Sequence, residues 1–345
     1  YPLLRDFLKQ KKLITGIDLD IEENVRMEDV KKLINCLVSD FGEDFTITMA
    51  PVAQSFINDS PSGFSSLNYK ELYESNVGHF IDWFNNNYKD ISFLFHLGAR
   101  TDTSELDTEI FKYLNLNYSK ALYKICVKFN IPFVYASSAA TYGMGEFGFD
   151  DNHEKISSLL PLNPYAVYKN KFDKCILSNI DKPSSCVGLK FFNVYGPNEY
   201  HKSRMASVIF HAYNQIMKSG KMKLFKSHSK KFSNGEQSRD FVYIKDVVKT
   251  LIFFFKHQNK SGIYNLGTGE SRSFNDLIFI TFKALKKECS ISYIDIPNDI
   301  SDKYQYYTRA KISKLRNIGY KEKFYSLEEG VTEYVQEYLL EKKYY

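Results

Sequence analysis

Hydrophobic residues from about residue 91 onward fall into short continuous runs that are separated by amphipathic stretches. Residues 91–98, 131–142 and 187–197 form three such runs, rich in β-branched and aromatic side chains. An apolar run without alternation is typical of a strand in a parallel sheet that is covered on both faces. Residues 108–129 instead repeat apolar positions at intervals of three and four, which predicts an amphipathic helix. The pattern predicts an α/β fold built on a parallel sheet.

The same alternation of helices and strands continues towards the end of the chain. We predict helices at residues 208–219, 273–287 and 327–340, and strands at residues 222–225 and 262–269.

The first 89 residues have a separate pattern. Residues 13–22, 45–52 and 78–88 predict three strands, and residues 27–39 and 69–73 predict helical or connecting segments between them. This order is that of a βαβαβ unit with right-handed crossovers. Such a unit can lie beside the later strands and cover the edge of their sheet.

Composition and charge exclude several classes of protein. The 345 residues, 43% of them hydrophobic, suffice for two domains and a sizeable core. A net charge of +5 is too small to indicate nucleic-acid binding. No run of 18 apolar residues occurs, so we expect no membrane span. The five cysteines lack paired or metal-type spacing and the charged opening segment does not resemble a signal peptide, so we expect a cytoplasmic protein without a metal site.

Candidate chemistry lies at Tyr165 and Lys169, four residues apart on one face of a helix that is predicted to start at Asn163 and Pro164. An ammonium beside a phenol favours the phenolate, so we predict a lowered pKa for Tyr165 and a role in proton transfer. The alternative is a half-buried tyrosine beside a solvated lysine, because both residue types are common in this chain.

Motifs on either side of this pair resemble one family. In chain order they are YASSAATYG, FNVYGP, HKSRMASVIFH, SRDFVYIKDVV, SGIYNLGTG, DKYQYYT and EEGVTEY. Over about residues 91–338 the chain resembles the extended short-chain dehydrogenases/reductases, a family of sugar-nucleotide epimerases and dehydratases, and within it the enzymes that invert C6 of ADP-glycero-manno-heptose. The resemblance implies an isomerase with a Rossmann-like sheet, a bound NADP or NAD, a nucleotide-sugar substrate and, as an option, a homo-oligomer.

The resemblance also implies catalytic roles. Tyr165 would transfer the proton, Lys169 would lower its pKa and hold the cofactor ribose, and Ser138 would hydrogen-bond the reacting oxygen. Ser137 is the alternative hydroxyl. Lys202 would be a second proton-transfer group for the opposite face of the sugar carbon; the alternatives are a phosphate-binding lysine or a surface lysine.

Further residues are implied in binding. Those near the cofactor would be Leu97, Gly98, Ala99, Arg100, Thr101, Asn115, Lys169, Val194 and Lys202. Those near the substrate would be Ser138, Asn193, Arg204, His211, Phe225, Lys226, Ser227, His228, Arg239 and Tyr304.

Some of these positions have an equally simple structural interpretation. Asn115 and His211 can be polar residues on helix faces rather than ligand contacts. The planar guanidinium of Arg239 suits a diphosphate, although it can also pair with Asp240 or Asp246.

Other positions depart from the family pattern. Arg100 and Arg204 stand where smaller residues are expected, and residues 225–228 lack an acidic, glycine-bearing turn. Nothing before residue 91 supplies the glycine-rich turn that binds a cofactor pyrophosphate. Residues 143–148 spell G-x-G-x-x-G, but no apolar-periodic helix follows them, so we predict a surface loop there.

The carboxylates at the end of the first predicted strand offer a different function. Asp18, Asp20 and Glu22 would lie on one side of an extended segment, where like charges raise the pKa of a carboxyl group. Residues 1–89 resemble part of a family-18 chitinase barrel, in which Glu22 would be the catalytic acid. Three strands of the eight cannot close such a barrel.

The predicted organisation therefore has three parts. Residues 1–89 are a partial (β/α)8-barrel-like piece, residues 90–200 are the second half of a dinucleotide-binding domain, and residues 201–345 are a mainly substrate-binding region. We expect an NAD(P)-dependent epimerase; a chitinase-like glycoside hydrolase or an inactive fusion remnant are the alternatives.

Overall fold

The computed structural model describes residues 16–20, 36, 39–40, 46–50, 91–103, 105–297 and 304–344. The chain divides into two compact units. The first consists of Tyr1–Arg100, Asp107–Phe133 and Asp181–Ser184, and the second of Thr101–Leu106, Val134–Ile180 and Ser185–Tyr345.

The described part of the first unit contains three strands and two helices. They are β1 (Gly16–Asp20), β2 (Thr46–Ala50), β3 (Leu94–His96), α1 (Thr108–Phe111) and α2 (Tyr118–Phe129). A π-helical turn, Lys112–Asn117, joins the two helices, so the single helix predicted for residues 108–129 is interrupted. Asn130 ends α2 with a φ of 54°, a left-handed conformation that asparagine adopts more readily than most residues.

Strands β1 and β2 pair in parallel, with Gly16 opposite Thr46. Two of the three strands predicted before residue 89 are therefore confirmed, and their parallel pairing agrees with a βαβ order. Within the described residues these two strands form a sheet of their own, which goes against the expectation that they extend the sheet of the later strands.

Several predictions for the first 89 residues fall beyond the described part of the chain. Asp18 and Asp20 lie on β1. Glu22, the strand at 78–88, the segment at 69–73 and most of the segment at 27–39 lie outside the described residues.

The second unit alternates strands and helices. Its strands are β4 (Phe133–Ser138), β5 (Cys186–Phe191), β6 (Asn193–Tyr195), β7 (Met222–Phe225), β8 (Ser238–Arg239), β9 (Phe241–Tyr243), β10 (Gly262–Leu266), β11 (Arg272–Ser273) and β12 (Ile291–Ile294). Its helices are α3 (His153–Ile156), α4 (Pro164–Ser178), α5 (Val208–Ser219), α6 (Ile244–Lys256), α7 (Phe274–Ala284), α8 (Ser313–Asn317) and α9 (Leu327–Glu333).

The sheet of this unit has the strand order β10-β5-β4. Strands β10 and β5 are parallel, with Gly262 opposite Val187. All of β4 and nearly all of β5 are buried, which confirms the prediction of strands that are covered on both faces. Glycine is required at Gly188, because a Cβ there would lie 2.4 Å from the Tyr135 hydroxyl oxygen.

The C-terminal helices share a hydrophobic core. Ile209 of α5, Leu277 of α7 and Val331 of α9 are fully buried in it. Helices α7 and α9 begin with capping boxes at Ser273 and Ser326, in which a serine and an acidic side chain satisfy main-chain N–H groups of the first turn. None of the helices in the described residues combines the length and apolarity of a transmembrane segment.

The glycine-rich stretch after β4 forms turns, as predicted. A short 3-10 helix, Ala139–Tyr142, ends at Gly143, which has a φ of 61°. A Cβ at Gly143 would lie 2.0 Å from the carbonyl oxygen of Leu160, so this glycine permits a close backbone approach. Helix α3, which follows, has four residues.

Candidate active site

Helix α4 begins where the sequence predicts. The Asn163 side-chain oxygen accepts a hydrogen bond from the Ala166 N–H at 2.9 Å, and Pro164 occupies the first turn, where its missing N–H costs no helical hydrogen bond. Tyr165 is therefore in the first turn of the helix, and Lys169 follows one turn later.

Tyr165 is half-buried and forms a side-chain hydrogen bond with Ser138. Burial raises the pKa of Tyr165; the hydrogen bond from Ser138 opposes this shift, and the negative charge of Asp173 adds to it. The Lys169 Nζ lies 6.0 Å from the centroid of the Tyr165 ring. The predicted lowering of the phenol pKa is wrong, because burial has the largest effect and raises the pKa.

Lys169 is buried and donates a hydrogen bond to the Ala136 carbonyl oxygen on β4 at 2.7 Å. Burial lowers the pKa of Lys169 to about 8, and the carboxylate of Asp173 acts in the opposite direction. An ammonium has three N–H donors, and the bond to Ala136 uses one. The side chain is thus fixed to the strand that carries Ser138 and keeps donors for a ligand.

A pH dependence follows from the pKa of Lys169. If its charge supports catalysis, the rate should fall as pH rises through about 8, because Lys169 then loses its proton. A pH profile of kcat checks this. The exposed Lys174 lies on the same helix. Lys174→Met should therefore show the same fall in rate above about pH 8 as the wild type. Lys169→Met should lose the activity, and any residual rate should not fall above about pH 8. A wild-type rate that is flat between pH 7 and 9 would contradict the assignment.

Ser138 and Ser137 have different environments at the end of β4. The Ser138 hydroxyl accepts a hydrogen bond from the Ala140 N–H at 3.1 Å and contacts Tyr165. The Ser137 hydroxyl donates instead to an Asp173 carboxylate oxygen at 2.7 Å. The hydroxyl that meets the phenol is therefore Ser138, and Ser137 is held in a buried polar network.

A cavity of about 1310 Å³ opens beside Ser138 within the second unit. Seven of the predicted substrate contacts line it: Ser138, Asn193, Arg204, His211, Phe225, Arg239 and Tyr304. Tyr165 and Lys169 do not contribute to its lining, nor do Lys226, Ser227 and His228. Most of the predicted substrate residues therefore line one cavity. Ser138 connects this cavity to the Tyr165 phenol, with which it forms a hydrogen bond.

Arg239 is a buried cation in the wall of this cavity. Its guanidinium lies 5.5 Å from the ring centroid of Phe274 and 5.4 Å from that of Tyr304. Its N–H groups donate to the carbonyl oxygens of Ser238 and Gln305. Burial lowers its pKa. A desolvated guanidinium next to an open cavity is suited to an anionic ligand.

The alternative for Arg239, a salt bridge with Asp240 or Asp246, is absent from the part of the chain that the structure describes. Asp240 accepts hydrogen bonds from the main-chain N–H groups of Thr268, Gly269 and Ala310. Asp246 pairs with the Lys249 ammonium at 3.3 Å. Both carboxylates are therefore satisfied by other partners.

Lys202 lies outside the cavity lining. It is exposed and precedes a 3-10 turn, Ser203–Met205. Its loop is held by buried Glu199, whose carboxylate accepts hydrogen bonds from the N–H of Ser207 at 2.7 Å and the hydroxyl of Tyr334 at 2.8 Å. The loop is anchored at both ends, and the lysine projects from a fixed turn.

Two of the predicted cofactor contacts meet in the first unit. The Asn115 side-chain oxygen accepts from the Arg100 N–H at 2.9 Å, and its amide donates to the Arg100 carbonyl oxygen at 2.9 Å. Asn115 therefore braces the turn after β3. Leu97, Gly98 and Ala99 are partly exposed on that turn. In the second unit, Thr101 is exposed and Val194 is half-buried on β6.

Sequence reasoning missed a buried polar group beneath the site. Asp173 and Lys190 are fully buried and form an ion pair at 2.6 Å, and Lys190 also donates to the Thr141 hydroxyl at 2.6 Å. Two signals were present in the sequence. Asp173 follows Lys169 by one helical turn, and Lys190 interrupts an otherwise apolar strand, where a charge requires a partner.

Comparison with known proteins gives a consistent assignment. Residues 68–267 match the model of the family described as "NAD dependent epimerase/dehydratase family". The chain is 48% identical over 267 residues to the ADP-L-glycero-D-manno-heptose-6-epimerase of Fusobacterium nucleatum, covering 75% of this chain and 80% of the relative. Neither the family match nor this relative supports the glycoside hydrolase alternative at Asp18, Asp20 and Glu22.

Solved structures have the same fold. The ADP-L-glycero-D-manno-heptose-6-epimerase of Helicobacter pylori superposes with a TM-score of 0.66 at 26% identity, covering 95% of this chain and 97% of that one. UDP-glucose 4-epimerase of Thermus thermophilus, solved in complex with NAD, superposes with a TM-score of 0.64 at 18% identity, covering 93% and 97%. The fold is thus the α/β fold with a Rossmann-like sheet that the sequence predicts. The chain belongs to the NAD dependent epimerase/dehydratase family.

Proposed function

We propose that this chain is a sugar-nucleotide epimerase that inverts C6 of ADP-glycero-manno-heptose by transient oxidation and re-reduction. The observation that carries the proposal is the Tyr165–Ser138 hydrogen bond at the end of β4, next to a cavity that contains a buried arginine. The relative with 48% identity, which bears the name of this epimerase, supports the choice of sugar.

The nicotinamide end of an NAD-type cofactor fits residues of the site. Lys169 keeps two N–H donors after its bond to Ala136, and these can hold the ribose hydroxyls. When bound in its oxidised form, the cofactor supplies a hydride acceptor and a positive charge beside the sugar. The sequence has no glycine-rich turn before residue 91, so this fit concerns the nicotinamide end only.

Tyr165 carries the proton in this proposal. Its raised pKa keeps the phenol protonated at neutral pH, and a neighbouring positive charge would favour the phenolate, which can take the proton of the C6 hydroxyl. The Lys169 ammonium supplies one such charge, and its pKa of about 8 keeps it protonated at neutral pH. Ser138 orients the reacting oxygen while Tyr165 takes its proton during the oxidation.

Arg239 would bind the diphosphate of the substrate. A guanidinium donates to two phosphate oxygens in one plane, and Arg239 is already stacked between two rings in the cavity wall. With the diphosphate held by Arg239, the oxidised sugar can rotate and present its other face to the cofactor without leaving the site. The second face of C6 then needs its own proton carrier, for which we propose Lys202 on its anchored turn.

The direct test incubates the purified chain with NAD, or separately with NADP, and ADP-D-glycero-D-manno-heptose. We expect the C6 epimer to form while the nicotinamide absorbance shows no net reduction, because the hydride is returned. Cofactor titration by fluorescence should give micromolar affinity. Accumulation of reduced cofactor, or no conversion with either cofactor, would refute the proposed function.

The remaining predictions from the sequence stand as proposals. We propose a cytoplasmic location, a homo-oligomeric state and a division of the chain near residue 200. The family match that begins at residue 68 does not support the boundary predicted near residue 90 or a chitinase-like origin of residues 68–89.

A further inference from the structure

Beneath the candidate site, five side chains form one buried polar network: Tyr135, Ser137, Thr141, Asp173 and Lys190. Asp173 of α4 accepts hydrogen bonds from the Tyr135 hydroxyl at 2.9 Å and the Ser137 hydroxyl at 2.7 Å, and it pairs with Lys190 of β5 at 2.6 Å. Lys190 and Asp173 are both fully buried. A buried charge pair persists only when its remaining donors and acceptors are satisfied, and here they are shared with β4 and the turn that follows it.

The network reaches the active residues by two routes. On one side, Lys190 Nζ donates to the Thr141 hydroxyl at 2.6 Å, and that hydroxyl donates to the Ser138 carbonyl oxygen at 2.7 Å. The chain Lys190–Thr141–Ser138 therefore fixes the backbone of the residue that hydrogen-bonds Tyr165.

On the other side, Asp173 lies one turn beyond Lys169 on α4 and acts on it electrostatically. Among the described residues, Asp173 is the charged group that affects Lys169. The facing group on β4 is the Ala136 carbonyl. Tyr165 lies on the same helix as Lys169, with its ring centroid 6.0 Å from the Lys169 Nζ. Lys190 on β5 is paired with Asp173.

We propose that the Asp173–Lys190 pair is a positioning pair for the active site, which holds the main chain of Ser138 in place through the Thr141 hydroxyl. This inference rests on the proposed epimerase function. The Asp173 carboxylate favours the charged form of Lys169. The Lys190 ammonium holds the Thr141 hydroxyl, which in turn donates to the Ser138 carbonyl oxygen. Neither residue touches substrate or cofactor in this proposal.

Two variants separate these effects. Thr141→Val keeps the ion pair and removes the hydroxyl that links it to Ser138, so kcat should fall about 10-fold with little change in KM, because the reacting groups lose alignment. The double variant Asp173→Asn/Lys190→Met removes both charges without leaving one of them alone in the core. In that variant kcat should fall about 100-fold, and the alkaline limb of its pH profile should move to lower pH.

Lysine labelled with ¹³C at Cε gives a readout that does not depend on turnover. The Lys169 signal is assigned by its loss in Lys169→Met. Its titration midpoint should lie lower in the double variant than in wild type and should be unchanged in Thr141→Val. Lys249→Met is the matched control, because Lys249 pairs with another buried aspartate, Asp246, and it should change neither kcat nor the Lys169 titration.

The outcomes are distinct. A folded double variant with wild-type kcat and an unshifted Lys169 titration would overturn the inference, as would wild-type kinetics of Thr141→Val. If the double variant does not fold, Thr141→Val alone decides the positioning of Ser138. A wild-type chain that converts no ADP-heptose would refute the proposed function, and the Lys169 titration would still test whether Asp173 supports its charge.

Discussion

Replacing Tyr165 with phenylalanine should lower kcat by about 10³-fold while KM stays within a few-fold of wild type. The phenol oxygen carries the proton in the proposed reaction, and a positioned proton-transfer group contributes about 10²- to 10⁴-fold. The ring remains in Tyr165→Phe, so binding and packing are preserved. Steady-state kinetics of C6 inversion, with circular dichroism to verify folding, measure the effect.

The matched control for this variant is Tyr168→Phe. Tyr168 is a buried tyrosine on the same helix but has no part in the proposed proton path. It should retain wild-type kcat. A Tyr165→Phe enzyme that keeps more than about a tenth of wild-type kcat would show that another group carries the proton, since a loss below 10-fold is smaller than a proton-transfer role provides.

Replacing Arg239 with methionine should raise KM and the Kd of ADP by about 100-fold or more, with a smaller effect on kcat. Two charge-assisted hydrogen bonds to phosphate are lost, each worth about 1.5–3 kcal/mol. The thermal midpoint should fall as well, because the guanidinium also donates to the carbonyl oxygens of Ser238 and Gln305 and lies against two rings.

The control for Arg239→Met is Arg316→Met. Arg316 also donates to main-chain carbonyl oxygens, of Tyr320 and Glu322, and also lies against two aromatic rings. It does not line the cavity, so its loss should leave the Kd of ADP unchanged and lower the thermal midpoint. Calorimetric titration with ADP distinguishes the two arginines. Equal affinities of wild type and Arg239→Met would place the diphosphate elsewhere.

Local patterns predicted the elements that carry the site. The start of α4 follows from Asn163-Pro164, a side-chain cap and a proline in the first turn. The burial of β4 follows from an apolar run without alternation. The break of the helix at 108–129 into a π turn did not follow from the apolar periodicity of the segment.

Properties that depend on tertiary burial could not be predicted. The sequence places Lys169 one turn after Tyr165, but only the structure shows that desolvation reverses the expected direction of the phenol pKa. The pairing of Asp173 with Lys190 joins a helix to a strand 17 residues away, which no local period encodes. Likewise, the sequence could not distinguish an ion-paired Arg239 from one that faces a cavity.

The most direct test of the account is the fate of the hydrogen on C6. ADP-heptose that carries deuterium at C6 is converted in ordinary water with unlabelled cofactor, and the product is analysed by mass spectrometry and NMR. The account predicts that the inverted product keeps its deuterium at C6, because the hydride leaves and returns without contact with solvent. Replacement of that deuterium by solvent hydrogen would contradict it, since the inversion would then proceed by proton abstraction.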